Sequence, residues 1–390
     1  MNLLIWMCCF FYFVIGMTGV FLGGIIPELL PYYNRAYSDG GILLFIQFIG
    51  FLIGVIVMPK ISKLLGRKSI LFVALLVISL SYIILGLLPP WFLVITLTFF
   101  TGFGSGIIES TVGALVIQFV EEKKAIAMSK LDVFFGIGAL LMPATIGLFI
   151  SMGLWRWAFF AIAGFTILIS ILWISLSYGE AEGFLKRNIQ SSSPTKTQEY
   201  SLGKKGIKYL IIFLTFFFVY QGLEISIMNF LPSIMIENIA VNPATASLSV
   251  TVFWTSMVLG RVFVGIIAEK VGYLKFLIYS NFGTMIILIG FAISKSYLFF
   301  YFLIFLLGLL MSGLFSIALI LANEIIKRNT EKITSLLVAA AGIGGAVLSF
   351  STGWSLENLS VTATLWLFVF FQGLLCTLMM FTVGAKKNSI

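Results

Sequence analysis

The chain has 390 residues, of which 60% are hydrophobic and 10% charged, and its formal net charge is +9. A soluble domain carries roughly 25% charged residues, and no soluble fold of this length has an interior large enough for so much apolar surface. The class is therefore a helical integral membrane protein. No histidine occurs, and Cys8, Cys9 and Cys376 lie in apolar runs without metal-ligand spacing. That excludes an imidazole proton relay, argues against a metal site and leaves proton chemistry to carboxylates.

Runs such as "LFVALLVISLSYIILGLL" are continuously apolar and of helix length, unlike the alternating strands of a membrane barrel. Twelve spans are predicted: 4–30, 41–59, 69–87, 91–119, 129–151, 155–178, 208–236, 246–268, 274–294, 297–322, 333–354 and 361–384. The first has no basic leader and no small-residue cleavage site, so it reads as a retained span. The polar segment 179–207, rich in Ser, Thr and Lys, reads as a flexible cytoplasmic linker between six-helix bundles at 1–178 and 208–390. The loops after spans 2, 4, 6, 8 and 10 carry most of the cations, among them Lys60, Lys63, Arg67, Lys68, Lys123, Lys186, Lys270 and Lys327. The opposite loops carry Arg35, Arg156 and Lys295. This bias places both termini in the cytoplasm of a plasma-membrane protein. It also accounts for the net charge without any nucleic-acid partner.

Charged and polar groups inside spans are functional by default, although any of them can also serve as interhelical glue. In span 4, Glu109 shares an arc of about 60° with Gly102, Gly106 and Gly113, so it faces other helices rather than lipid. In span 5, Asp132 shares a face with Gly136, Ala139, Pro143 and Gly147. In span 7, Tyr220, Gln221 and Glu224 lie within about 100° of one another. Pro232 is expected to break that helix near Met228 and so bring Asn229 to the same place. Gln47 in span 2 adds an amide. Trp254 in span 8 is either an aromatic face for a ligand or a packing residue, and Arg261 suits a structural or gating role better than ligand contact. No phosphate-binding loop or nucleophile triad occurs, so no enzyme is expected, and no cofactor.

The two halves repeat at an offset of about 206: Gly54 over Gly260, Gly66 over Gly272, Gly102 over Gly308, "GIGA" at 136–139 over "GIGG" at 342–345, and Gly147 over Gly353. Duplicated six-helix units of this kind are a common transporter plan, with the substrate near the midplane. Together with the basic glycine-containing loop between spans 2 and 3, this layout resembles the major facilitator superfamily. The resemblance implies an all-α fold of twelve membrane helices in two pseudo-symmetric bundles. The family loop reads Gly-x3-Asp-Arg/Lys-x-Gly-Arg-Arg/Lys. Its second copy keeps Gly265, Glu269, Lys270, Gly272 and Lys275, whereas the first keeps Gly66, Arg67 and Lys68 but has Pro59 and Lys63 at the glycine and acidic positions.

"ESTVG" at 109–113, "MSKLDVFFGIGALLMP" at 128–143 and "YQGLEISIMNFLPSIM" at 220–235 are similar to the fucose–galactose–glucose–mannose proton symporters, closest to the bacillus-type glucose/mannose branch. That resemblance implies a neutral hexose and protons as partners. It makes Glu109 the proton carrier; Gly23 stands where the branch has a second acid, so coupling is expected to rest on Glu109 with Asp132 or Glu224. Gln47, Tyr220, Gln221, Glu224, Asn229 and Trp254 are then the expected sugar ligands. Arg67, Arg261 and Glu269 are the expected gating residues, with Glu269 latching to Arg261 or a nearby base. A monomer in the lipid bilayer is expected. The alternative is a proton-driven exporter, whose span-5 signature "GIGALLMPATIG" matches only in part because Met142 precedes Pro143. A non-transporting sensor fits the repeat poorly.

Overall fold

The computed structural model describes residues 2–119, 124–179, 182–185, 204–326 and 330–387. Every regular element among the described residues is a helix, and twelve runs are long and apolar enough to cross a membrane, as expected. A helix satisfies all its backbone polar groups internally, which a chain in hydrocarbon requires. Contacts divide the chain into two compact units: one of residues 1–35, 42–193 and 243–251, the other of 36–41, 194–242 and 252–390.

The first unit holds α1 (Asn2–Tyr32), most of α2 (Tyr37–Leu65), α3 (Arg67–Gly86), α4 (Trp91–Phe119), α5 (Lys124–Ser151), α6 (Trp157–Ser175) and the short α7 (Glu182–Leu185). Its closest approaches run through glycine. A Cβ at Gly16 would collide with the Phe135 carbonyl, and one at Gly138 with the Phe13 carbonyl, so α1 and α5 touch backbone to backbone. Gly102 meets the Gln47 carbonyl and Gly54 meets the Phe103 carbonyl, which brings α2 onto α4 in the same way. Apolar burial gives no drive for association in lipid, so close backbone packing of small residues supplies it.

The first residues of the predicted linker are folded onto this unit. Tyr178 is buried, its hydroxyl donates to the Trp173 carbonyl at 3.1 Å, and the Lys68 ammonium lies 5.3 Å from its ring. Lys68 also reaches Glu182 at 4.0 Å, and the Trp173 indole donates to the Lys68 carbonyl at 2.9 Å. α7 packs on α3 and α4. The linker residues 186–203 lie outside the described residues.

The second unit holds α8 (Lys204–Ile239), most of α9 (Pro243–Val271), α10 (Tyr273–Ile293), α11 (Tyr297–Met311), α12 (Leu314–Ile326), α13 (Thr330–Asn358) and α14 (Val361–Lys387). Its glycine contacts repeat those of the first unit at the 206-residue spacing. Gly222 and Gly344 join α8 to α13, Gly308 meets the Phe253 carbonyl, and Gly260 meets the Leu309 carbonyl at 3.0 Å. The repeat extends to backbone geometry. Gly66 and Gly272 precede α3 and α10 with φ of 79° and 90°, values that L side chains rarely adopt. Inside this unit, buried Gln372 donates to the Asn281 side chain at 2.9 Å and to its carbonyl at 3.0 Å, tying α14 to α10.

One break differs from expectation. α8 runs through Pro232 without interruption. Proline removes a single bond there, and the dense contact of α8 with α13 holds the helix on both sides. The break lies in span 10 instead, where Ser312–Gly313 separates α11 from α12. The Ser312 hydroxyl donates to the Leu309 carbonyl at 2.7 Å.

Candidate functional site

In the first unit three groups come together from three helices. Glu109 on α4 is half-buried and lies within electrostatic reach of Asp132 on α5. Tyr12 on α1, 7% exposed, is within reach of both. A Cβ at Gly113, one turn beyond Glu109, would stand 3.9 Å from the Tyr12 hydroxyl oxygen. The absence of a side chain at Gly113 leaves that space open. Asp132 itself is exposed. Tyr12 is inconspicuous in the sequence, because a tyrosine in "CCFFYFVIG" reads as packing.

Gln47 is buried in the same unit, where its side-chain amide donates to the Thr18 carbonyl at 3.3 Å and to the Thr101 hydroxyl at 3.5 Å. The Thr18 and Ser105 hydroxyls are 3.1 Å apart. Gln47 therefore ties α1, α2 and α4, and only its carbonyl oxygen remains to accept from a ligand. Arg67 is buried at the start of α3.

In the second unit Tyr220, Gln221, Glu224 and Asn229 stand on α8, with Trp254 and Arg261 on α9. The Gln221 amide donates to Glu224 at 3.2 Å. Tyr220, 1% exposed, donates to the Met311 carbonyl at 3.0 Å and is also within hydrogen-bonding reach of Glu224. The Asn229 amide nitrogen donates to the Ile225 carbonyl at 3.0 Å. Its side-chain oxygen is buried without a partner among the described residues, and so is the Ser226 hydroxyl three positions earlier. Because α8 is unbroken, Asn229 and Ser226 lie about 140–160° round the helix from Glu224, so Asn229 is not brought to the Gln221–Glu224 pair as expected.

The expected Glu269–Arg261 latch is not formed. Arg261 stacks over Trp254 at 5.8 Å and acts electrostatically on Glu224, while Glu269 is exposed. Two helical turns separate the two residues along α9, about 12 Å of rise, which is too far for an ion pair. An ion pair does form between Lys68 and Glu182, in the first unit. The side chain of Lys63 lies outside the described residues. No cluster of His, Cys, Asp or Glu fit for a metal occurs among the described residues, and all three cysteines are buried and unbridged.

The family model of the Major Facilitator Superfamily matches residues 8–229 and again 212–389. The chain is 34% identical over 360 residues to the glucose/mannose transporter GlcP of Bacillus subtilis (strain 168), covering 92% of this chain and 89% of that protein. Among solved structures, a D-xylose-proton symporter superposes with a TM-score of 0.78 at 14% identity, over 97% of this chain and 96% of the other. The nucleoside transporter NupG superposes with a TM-score of 0.71 at 13% identity, over 100% of both chains.

Proposed function

This chain belongs to the major facilitator superfamily, and from that premise we propose that it carries a neutral hexose of the glucose or mannose type across the membrane together with protons. The observation that carries the reading is the full-length likeness to a glucose/mannose transporter, at 34% identity over 92% of the chain. The polar inventory supports it. Glu109, assisted by Asp132 and Tyr12, takes the coupling proton. Glu224 and Gln221 take the sugar, since hydroxyl groups are matched by a carboxylate that accepts and an amide that both donates and accepts. Trp254 adds an aromatic face. Tyr220, whose hydroxyl donates to the Met311 carbonyl, serves as the backing of this set. Arg67, Arg261 and Glu269 act in gating. The protein works as a monomer with both termini in the cytoplasm, and transport rather than catalysis is its activity.

The test is uptake of radiolabelled hexoses by purified protein in proteoliposomes with an imposed pH gradient. Accumulation of glucose or mannose that collapses with a protonophore supports the reading. Accumulation that persists without the gradient, or extrusion of hexose driven by it, contradicts it.

A further inference from the structure

The break in span 10 and the polar cluster on α8 meet at one side chain. Met311 is the last residue of α11, and its carbonyl accepts from the Tyr220 hydroxyl at 3.0 Å. Tyr220 is 1% exposed, and its ring stacks on Phe216 at 5.9 Å with planes only 4° apart. The ring is therefore held in place while the hydroxyl is free to choose its acceptor. That hydroxyl has one proton. Two acceptors compete for it, the Met311 carbonyl and the Glu224 side chain, whose carboxylate form is the stronger acceptor of the two. The remaining groups around Glu224 are Gln221, which donates to it at 3.2 Å, and Arg261 from α9. The same stretch of α9 braces the break. A Cβ at Gly260 would collide with the Ser312 hydroxyl, and one at Gly313 would collide with Val264. The break is thus enclosed by α8 and α9, with little room for any other partner.

We propose that Tyr220 is a positioning residue that ties the state of Glu224 to the break in span 10 through its single hydroxyl proton. The proposal rests on the hexose reading above for what occupies Glu224. With the site empty, the carboxylate draws the Tyr220 proton away from Met311. The Met311 carbonyl then loses a partner in a setting where an unsatisfied carbonyl is costly, and the α11–α12 junction loosens. When a sugar hydroxyl donates to Glu224, the carboxylate's demand is met. The Tyr220 proton settles on Met311 and the junction tightens. Tyr220 never touches sugar, so its hydroxyl governs turnover rather than affinity.

Hydrogen–deuterium exchange of the full-length protein in lipid nanodiscs reads the junction directly, at the amides of residues 312–316, with and without glucose. In the wild type, glucose should slow exchange there. Tyr220→Phe should exchange faster without sugar, on the order of fivefold, and should no longer respond to glucose. Its glucose counterflow should fall about tenfold while its glucose affinity stays within about threefold of wild type. Glu224→Gln is a neutral shape-match that competes weakly for the proton, so it should exchange slowly with or without sugar. It carries the test if Tyr220→Phe proves unstable. Wild-type exchange in sugar-free Tyr220→Phe, or fast exchange in Glu224→Gln, overturns the tie. An affinity loss as large as the turnover loss makes Tyr220 a sugar ligand and overturns the positioning role. If wild type binds neither glucose nor mannose, the hexose reading fails, and the sugar-free comparison of the variants still decides the tie.

Discussion

Glu109 illustrates what one residue decides. A carboxylate at the membrane centre costs about 2.5–3.5 kcal/mol on insertion scales, and half-buried Glu109 lies within reach of Asp132 and Tyr12. If Glu109 carries the coupling proton, Glu109→Gln fixes the protonated form. That variant should exchange labelled hexose for unlabelled hexose at near wild-type rates yet fail to concentrate it, and undiminished gradient-driven accumulation would remove Glu109 from the coupling step. Asn229 and Glu224 give a second residue-scale expectation. Removing a partner of a buried sugar hydroxyl costs about 1–3 kcal/mol, so Glu224→Ala should weaken hexose binding about 5- to 150-fold, while Asn229→Ala, on the opposite face of α8, should leave it near wild type. Calorimetry on purified protein would measure both, and wild-type affinity in Glu224→Ala would move the site off this face of α8. Glu109, Glu224 and Asn229 are legible in sequence because a polar group in an apolar run is conspicuous. Tyr12 is not, since tyrosine is as common in packing as in chemistry. Nor is the engagement of the Gln47 amide by Thr18 and Thr101, which depends on three helices meeting.

At the scale of elements, glycine sets how near helices come, and this is legible because the glycines recur at one spacing. The collision partners repeat as well: Gln47 against Gly102 and Phe253 against Gly308 are the same contact in two copies. The failures of sequence reading are instructive in the same terms. Pro232 suggests a break because its missing donor is visible in the sequence, but one lost bond does not break a 36-residue helix packed along its length. Span 10 looks uniform because serine and glycine are unremarkable in membrane helices, yet the helix is interrupted at Ser312–Gly313. Two glycine substitutions of opposite sign test the role of close approach. Gly344→Leu places a side chain against the Phe218 carbonyl and should destabilise the protein by at least about 1–3 kcal/mol. Gly164 on α6 has nothing within 4 Å of where a Cβ would stand, so Gly164→Ala should stabilise by about 0.5–1 kcal/mol through helix propensity. Thermal unfolding followed by tryptophan fluorescence in one detergent would show both. Equal effects would mean that close approach is not what these glycines provide.

At the scale of the whole molecule, the two units carry different chemistry on a duplicated frame. The first places two acids and a tyrosine from α1, α4 and α5 within reach of one another. The second presents amides, a carboxylate and orphaned acceptors along α8. Duplication explains the shared helices and glycine contacts, and under the proposed reading divergence of the polar positions divides the proton and sugar tasks between the units. The central claim is that movement of hexose and movement of protons are one event. Its most direct measurement is the proton flux that hexose itself induces, recorded with a pH-sensitive dye in proteoliposomes that start with no pH gradient and a shunted membrane potential. An inward glucose or mannose gradient should alkalinise the external medium, and Glu109→Gln should abolish the signal while leaving hexose entry intact. Hexose entry by the wild-type protein with no accompanying proton movement would contradict the account.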